Sequence, residues 1–257
     1  MDNQPIFELS LSLYMIAAIA VLGPVSMVAM DHLVGRAVAR GWLERAVKSP
    51  RPRVTLDDLR FMASFVILTG LLASAAQVAM FHGRAIPIDF GVRPLEMLGF
   101  TTLLMLVVDT NGFFWHRFSH RNRRAFRWFH SGHHRTKGTV HIAVAFHSNT
   151  LWDYPLHSGI VLSLGLSTLV LATGHYPIVT ILYATTVYVL GIAVTHSGLR
   201  ETGPVKWTLR MVLLPIKIVP TAIRLEDHER HHAQSDCNYG VFFSHWDRLL
   251  RTWQRSA

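Results

Sequence analysis

The sequence predicts an all-α fold: a polytopic membrane helical bundle of about four to five spans, with a histidine-rich helical cap on its cytoplasmic side. Three observations predict it. Half of the 257 residues are hydrophobic and only 16% are charged, well under the quarter usual in soluble chains. The apolar residues gather into runs of about 20, the length that crosses roughly 30 Å of hydrocarbon. Sixteen histidines are present, and twelve of them fall in the two polar segments that follow the later runs.

In chain order, the first run covers 9–30 ("LSLSLYMIAAIAVLGPVSMVAM"). Met1 to Glu8 carries two acids and no basic residue, unlike the charged start of a signal peptide, so this run is expected to be a retained span. A second run covers 61–81 and a third 95–115. A close pair at 156–173 and 176–195, divided by "TGHYP", reads as a helical hairpin. Lys and Arg then give the orientation, because they remain on the cytoplasmic side. Segments 31–60, 116–155 and 196–257 hold 23 of the 25, leaving only Arg84 and Arg93 opposite. A five-span path with the N-terminus outside places all three basic segments in the cytoplasm. The net charge of +9 is thereby explained by topology and anionic head groups rather than by nucleic acid. The whole of 1–257 is expected to be one integral membrane domain, with N-terminal spans over 1–94 and the histidine-bearing region over 95–257. There is no internal repeat. The single cysteine, Cys237, excludes a disulfide framework and any cysteine-rich zinc or iron-sulfur site.

That topology sorts the histidines. His116, His120, His130, His133, His134, His141 and His147 share one cytoplasmic segment, and His196, His228, His231, His232 and His245 share another. His32, His82, His157 and His175 read as interfacial or surface residues. Three groups stand out: "HRFSH" (His116, His120), "HSGHH" (His130, His133, His134) and "HERHH" (His228, His231, His232). Residues three and four apart share a helix face, so each group is expected to offer its rings to a common point. One catalytic zinc takes three protein ligands and a structural one four, so eight imidazoles imply two metals. Ligand type alone leaves zinc, copper, iron and nickel open. "HERHH" also has two readings. As H-E-x-x-H it is a zinc hydrolase helix in which His228 and His232 hold the metal and Glu229 is the base. As H-x2-H-H it is three ligands with no catalytic acid.

The order H-x3-H, H-x2-H-H, H-x2-H-H resembles the membrane fatty acid hydroxylase and sterol desaturase superfamily. "DTNGFFWHRFSH", "RWFHSGHH", "THSGLR" and "HHAQSDCNYGVFFSHWDRLLRTW" extend the resemblance from Asp109 to Thr252. It implies a fatty acid hydroxylase-like catalytic region over 95–257 and a non-haem di-iron oxygenase that hydroxylates or desaturates a lipid C–H bond. It implies two iron ions, with O2 as co-substrate. It also implies nine catalytic iron ligands: His116, His120, His130, His133, His134, His196, His228, His231 and His232. His147, where Ser148 replaces the family's proline, is a further ligand or an outer-shell group. Leu250 and Arg251 depart from the family's Phe-Gly. The chain shows no dinucleotide, flavin or haem-attachment motif, so electrons must come from a partner. The resemblance suggests a cytochrome b5-like protein, a ferredoxin or a reductase. A membrane zinc hydrolase using His228, Glu229 and His232 is the alternative.

Five supporting features are read from position. Asp109, costly within a bilayer unless bonded, is expected to orient an imidazole. Asn238, Tyr239 and Gly240 are expected to turn the chain over the site, and Trp246 and Asp247 to anchor the last helix. Segment 209–223, broken by prolines, reads as an interfacial stretch. Phe113, Phe114, Trp115, Phe126, Trp128 and Phe129 read as core and interface anchors.

Overall fold

The structure is a computed structural model, describing residues 28–29, 32–44, 55–81, 86–135, 149–150, 153 and 155–255. The first apolar run lies outside the described residues, apart from 28–29, which are helical. The later runs are helices: α1 (Leu56–Phe81), α2 (Pro94–Arg121), α3 (Ile160–Thr173) and α4 (Ile178–Thr195). Among the described residues, α2 and α4 are long and apolar enough to cross a membrane by length and composition. At 1.5 Å per residue, the 14 residues of α3 fall short of the hydrocarbon thickness. A π-helical turn, Pro155–Gly159, extends it.

α2 starts with Pro94, whose fixed φ suits a first helical turn, and carries Glu96 there, where the helix dipole favours an acid. Its buried residues, Thr101, Leu104, Met105, Val108, Asp109, Phe113, His116 and Ser119, follow the three-and-four spacing of one helix face. The histidines are therefore the polar end of an otherwise apolar stripe. That stripe packs on α4, where Ala184, Val187, Tyr188 and Ile192 are buried, and α3 packs on α1. Gly174 closes α3 in the left-handed region (φ 71°), and its N–H donates to the Val170 carbonyl. At this end of the bundle, Ile88–Asp89 (β1) and Tyr176–Pro177 (β2) pair in parallel, with Ile88 opposite Tyr176. The link before α2 and the turn between α3 and α4 thus lie together, while the histidines gather at the other end of the same helices.

The remaining helices are short: α5 (Gly203–Val212), a turn at Leu214–Lys217, α6 (Leu225–Ala233) and α7 (His245–Leu249). α5 and the turn bury Leu209, Leu213 and Ile216 and expose Trp207 and Met211, an amphipathic build of the kind an interfacial segment has. The nine residues of α6 are too few for a helix stable alone. Glu226 and Asp227 occupy its positive end, and the Arg224 N–H donates to Asp227 Oδ2 at 2.9 Å. Leu225, together with Phe242 and Phe243 on the non-helical strap 238–244 that leads into α7, locks it onto the core shared by α2 and α4.

Candidate metal centre

Four segments bring the histidines together. α2 delivers His116 and His120 one turn apart. The chain then makes a π-helical turn (Phe126–His130) and a 3-10 turn (His133–Arg135), which present His130, His133 and His134. π-turns inside helices concentrate at functional sites, and both of those described here border this one. His196 caps the C-terminus of α4, and α6 contributes His228, His231 and His232. The ligand atoms form two groups, each with all atoms within 4.8 Å of one another: His116, His120, His130, His134 and His231, and His133, His196, His228 and His232. All nine histidines assigned by spacing and resemblance are in one group or the other.

The expectation that each histidine box points at one place needs correction. Pairs four apart stay together, but the adjacent doublets His133–His134 and His231–His232 divide between the two groups. Successive helical residues diverge by about 100°, so a doublet straddles two points that neither residue spans alone. The second box, broken into π and 3-10 turns, reaches the same division without a regular helix.

Nε2 of His134 lies 3.1 Å from Nε2 of His120, His130 and His231. In the second group, His196 Nε2 lies 3.1 Å from His228 Nε2 and 3.3 Å from His133 Nε2. Two imidazole nitrogens bound to one metal at ~2.1 Å stand roughly 3.0–3.4 Å apart. Each ring nitrogen carries one proton or one lone pair, so four converging on a point cannot satisfy one another by hydrogen bonds. Backbone carbonyls fix three tautomers: Nδ1–H of His116 donates to Tyr239 O (2.7 Å), of His231 to Cys237 O (2.6 Å) and of His196 to Ile192 O (2.8 Å). Nε2 is thereby left as the ligand atom in each. His116 Nε2 and both nitrogens of buried His232 have no hydrogen-bond partner, a costly state that a bound metal relieves. Burial pushes His130, His133, His228, His231 and His232 well below the usual imidazole range, and neighbouring imidazoles add to the effect. His196 is pushed by burial to about 4, against the opposing pull of its bond to Ile192. These rings are neutral at physiological pH, the state a metal requires. The donor set fits two metal ions.

Residues 101–252 match the sequence profile of the fatty acid hydroxylase family, more than half of the chain. The chain belongs to this family. It is 26% identical over 163 residues to cholesterol 25-hydroxylase of Homo sapiens, covering 62% of this chain and 52% of that one. It is 28% identical to a very-long-chain aldehyde decarbonylase of Oryza sativa subsp. indica, covering 62% and 56%. Sphinganine C4-monooxygenase 1 of Arabidopsis thaliana is 25% identical, covering 58% and 52%. The chain spans about half the length of these curated relatives. No solved structure gives a significant match.

In this family member, Asp109 does not do what its position suggested. Its carboxylate meets no imidazole; it accepts the backbone N–H groups of Val241 (3.0 Å), Phe242 (2.8 Å) and Phe243 (3.3 Å). Three amide donors satisfy the buried carboxyl better than one imidazole would, because they cover both oxygens. Asp247 grips the same strap from the other side, accepting Tyr239 N–H at 3.0 Å and Gly240 N–H at 2.8 Å. Between these clamps, the Tyr239 carbonyl is held against His116. Asn238, at φ 52°, makes the turn and donates Nδ2–H to Asp227 O and Gln254 O. Trp246 Nε1–H donates to Thr110 Oγ1, tying α7 to α2.

His147 and His141 lie outside the described residues. His245 packs against Phe243 and Trp246, away from both groups. Buried Glu229 joins neither group, and His228 and His232 share theirs with imidazoles from two other segments. Position did not reveal one part of the site: a cavity beside the two groups, lined by His116, His133 and His196 together with Trp115, Asp153, His157, Ser158 and Tyr188. His157, expected to be interfacial or at the surface, has a side chain only 11% exposed there. Asp153 and His157, four apart in "DYPLH", were the available signal. Of the aromatic residues, Phe113 is core and Trp128 is exposed, as expected, whereas Trp115 lines the cavity.

Proposed function

We propose that the chain is a membrane oxygenase that holds two iron ions and hydroxylates, or desaturates, a lipid C–H bond with O2 and electrons supplied from outside. The observation that carries this reading is the division of nine neutral imidazoles, eight of them buried, into two adjacent groups beside a largely apolar cavity. His116, His120, His130, His134 and His231 would hold one ion, and His133, His196, His228 and His232 the other. When bound, the pair supplies the activation of dioxygen that an unactivated C–H bond needs. The chain's own residues set the geometry. Carbonyls of Ile192, Cys237 and Tyr239 keep three Nε2 atoms unprotonated, and the clamps on Asp109 and Asp247 hold the strap that carries Tyr239. Burial keeps bulk water from the rings.

Hydroxylation consumes the C–H bond, O2, two electrons and two protons and yields the alcohol and water. Desaturation takes a second hydrogen from the substrate and yields two waters. Both need two external electrons, for which a cytochrome b5-like protein, a ferredoxin or a reductase would serve. The names of the relatives, hydroxylase and monooxygenase among them, favour hydroxylation and a sterol or sphingoid type of lipid. The metal groups would face the cytoplasm, where the basic segments lie.

Metal analysis with Mössbauer spectroscopy on detergent-purified chain grown with iron-57 tests this. Wild type and Glu229→Gln are expected to hold about two coupled irons per chain, and His133→Ala to lose the coupled signal. One zinc per chain, kept in His133→Ala, would instead identify a zinc hydrolase built on His228, Glu229 and His232.

A further inference from the structure

A second hollow, outside the metal centre, opens on the bundle surface where α2 ends. It is a groove of about 600 Å³ lined by Phe118, Asn122, Arg124, Arg127, Trp128 and Phe129. One end of it continues a row on α2. Leu103, Val107, Phe114 and Phe118 are all exposed, and steps of four and seven residues put them on one face, turned away from the buried stripe. On a membrane helix such a face meets lipid. The other end is basic: Arg121, Arg123, Arg124 and Arg127 are exposed, and no acid lines the groove among the described residues. Arg127 Nε–H makes only a long bond to Arg123 O (3.4 Å), and the terminal NH2 groups of Arg124 and Arg127 meet no acceptor among the described residues. Asn122 Oδ1 accepts the N–H groups of Arg124 (2.9 Å) and Ala125 (3.0 Å), which leaves Asn122 Nδ2 as a further donor. Trp128, largely exposed between these cations, is the kind of residue that settles at head-group depth.

We propose that this groove holds an anionic phospholipid of the adjoining leaflet, with its phosphate between Arg124 and Arg127 and an acyl chain along Phe118, Phe114 and Val107. Length agrees. From Val107 to Phe118 the helix rises about 17 Å, close to half of the roughly 30 Å hydrocarbon core, which is the reach of one leaflet. Charge agrees as well. Two guanidinium groups suit a phosphodiester, and with no acid in the lining a choline or ethanolamine cation would find nothing to offset them. The groove's apolar end separates a lipid from an acidic protein, because a water-soluble partner could not follow Phe118 and Phe114 into the bilayer. The short turn Arg123–Ala125 and the π-turn ending in His130 form the basic end, so a bound head group pins the start of the second histidine box at phosphate level. The proposal goes beyond the oxygenase reading: it needs the chain to sit in a bilayer and is indifferent to which metal the imidazoles hold.

Native mass spectrometry of the detergent-purified full chain, titrated with dioleoyl phosphatidylglycerol or dioleoyl phosphatidylcholine, tests this. The first phosphatidylglycerol is expected to bind about tenfold more tightly than the first phosphatidylcholine. Arg124→Gln/Arg127→Gln should erase that preference. Arg36→Gln/Arg40→Gln removes the same charge from exposed arginines elsewhere and should keep it. All four side chains are exposed, so both variants should melt with wild type. Equal wild-type binding of the two lipids overturns the proposal without any variant and leaves the arginines to an acidic protein. An equal loss of preference in both double variants reduces the effect to net charge and overturns it too. Excess inorganic phosphate should leave the lipid bound, and its displacement would identify a soluble-anion site instead. Position is read with a photoactivatable phosphatidylglycerol in nanodiscs: adducts within 118–129 are expected, and adducts confined to α5 refute the placement. None of these readouts uses metal or oxygen, so the groove stands or falls separately from the oxygenase reading.

Discussion

At the scale of single residues, the supports of the centre are as specific as its ligands. A Cβ placed on Gly240 would lie 2.1 Å from the Phe243 carbonyl oxygen, so the strap cannot accept a side chain there without moving. Gly240→Ala is expected to cost roughly 1–3 kcal/mol and to loosen metal retention, read as a lower thermal midpoint in detergent and faster loss of metal to a chelator. An unchanged midpoint would show that the strap yields freely. Asp109→Asn keeps the shape but swaps one acceptor oxygen for an NH2 that faces a backbone donor. It should cost about 1–3 kcal/mol and release metal faster, although Asp109 touches no ligand. The nine imidazoles were legible because spacing and residue type both marked them. The partner of Asp109 was not, because Val241 to Phe243 lie more than 130 residues away and bond through backbone that carries no side-chain signature.

At the scale of elements, the helices show why a doublet of histidines serves two metals and why acid should empty the site. His133 and His134, like His231 and His232, diverge because neighbours on a helical turn must. Sequence spacing marked which histidines share a face, but not that a second group stood ready on the adjoining face. Burial holds the imidazoles of His130, His133, His228, His231 and His232 well below their ordinary range. In the unfolded chain each takes up a proton near about pH 6.5, while the fold keeps it neutral to lower pH. Their contribution to stability is therefore fully present above about pH 6.5 and drains away as the pH falls from there toward the folded values. Metal-free protein should show a flat thermal midpoint from about pH 8 to 7 and a steepening fall below about 6.5, and loaded protein should release its metal in the same acid window. A midpoint that stays flat to about pH 5 would mean that these rings are already charged or solvated in the folded protein.

At the scale of the whole molecule, the charge count predicts which end faces the cytoplasm, and the packing separates the two ends. The Lys and Arg counts assign 31–60, 116–155 and 196–257 to one face from composition alone. The structure then brings the end of α2, the end of α4 and α6 together at the metal groups, and pairs Ile88–Asp89 with Tyr176–Pro177 at the opposite end. Asp89 binds His175 there at 3.1 Å and also pairs with Arg93, so one of the two basic residues on the sparse side is held by an acid. The order of the later helices was legible because apolar runs are long and local. Which helices touch, α2 with α4 and α1 with α3, was not, because lipid-facing and partner-facing positions are equally apolar. Orientation can be measured directly in a Cys237→Ser background with a membrane-impermeant maleimide on intact cells. Val92→Cys and Trp128→Cys suit this test, since the native residues are both 68% exposed and lie at opposite ends of the bundle. Val92→Cys should label at once, and Trp128→Cys only after permeabilisation. The reverse pattern would place the metal groups outside the cytoplasm, and an intracellular one-electron donor could then no longer reach them.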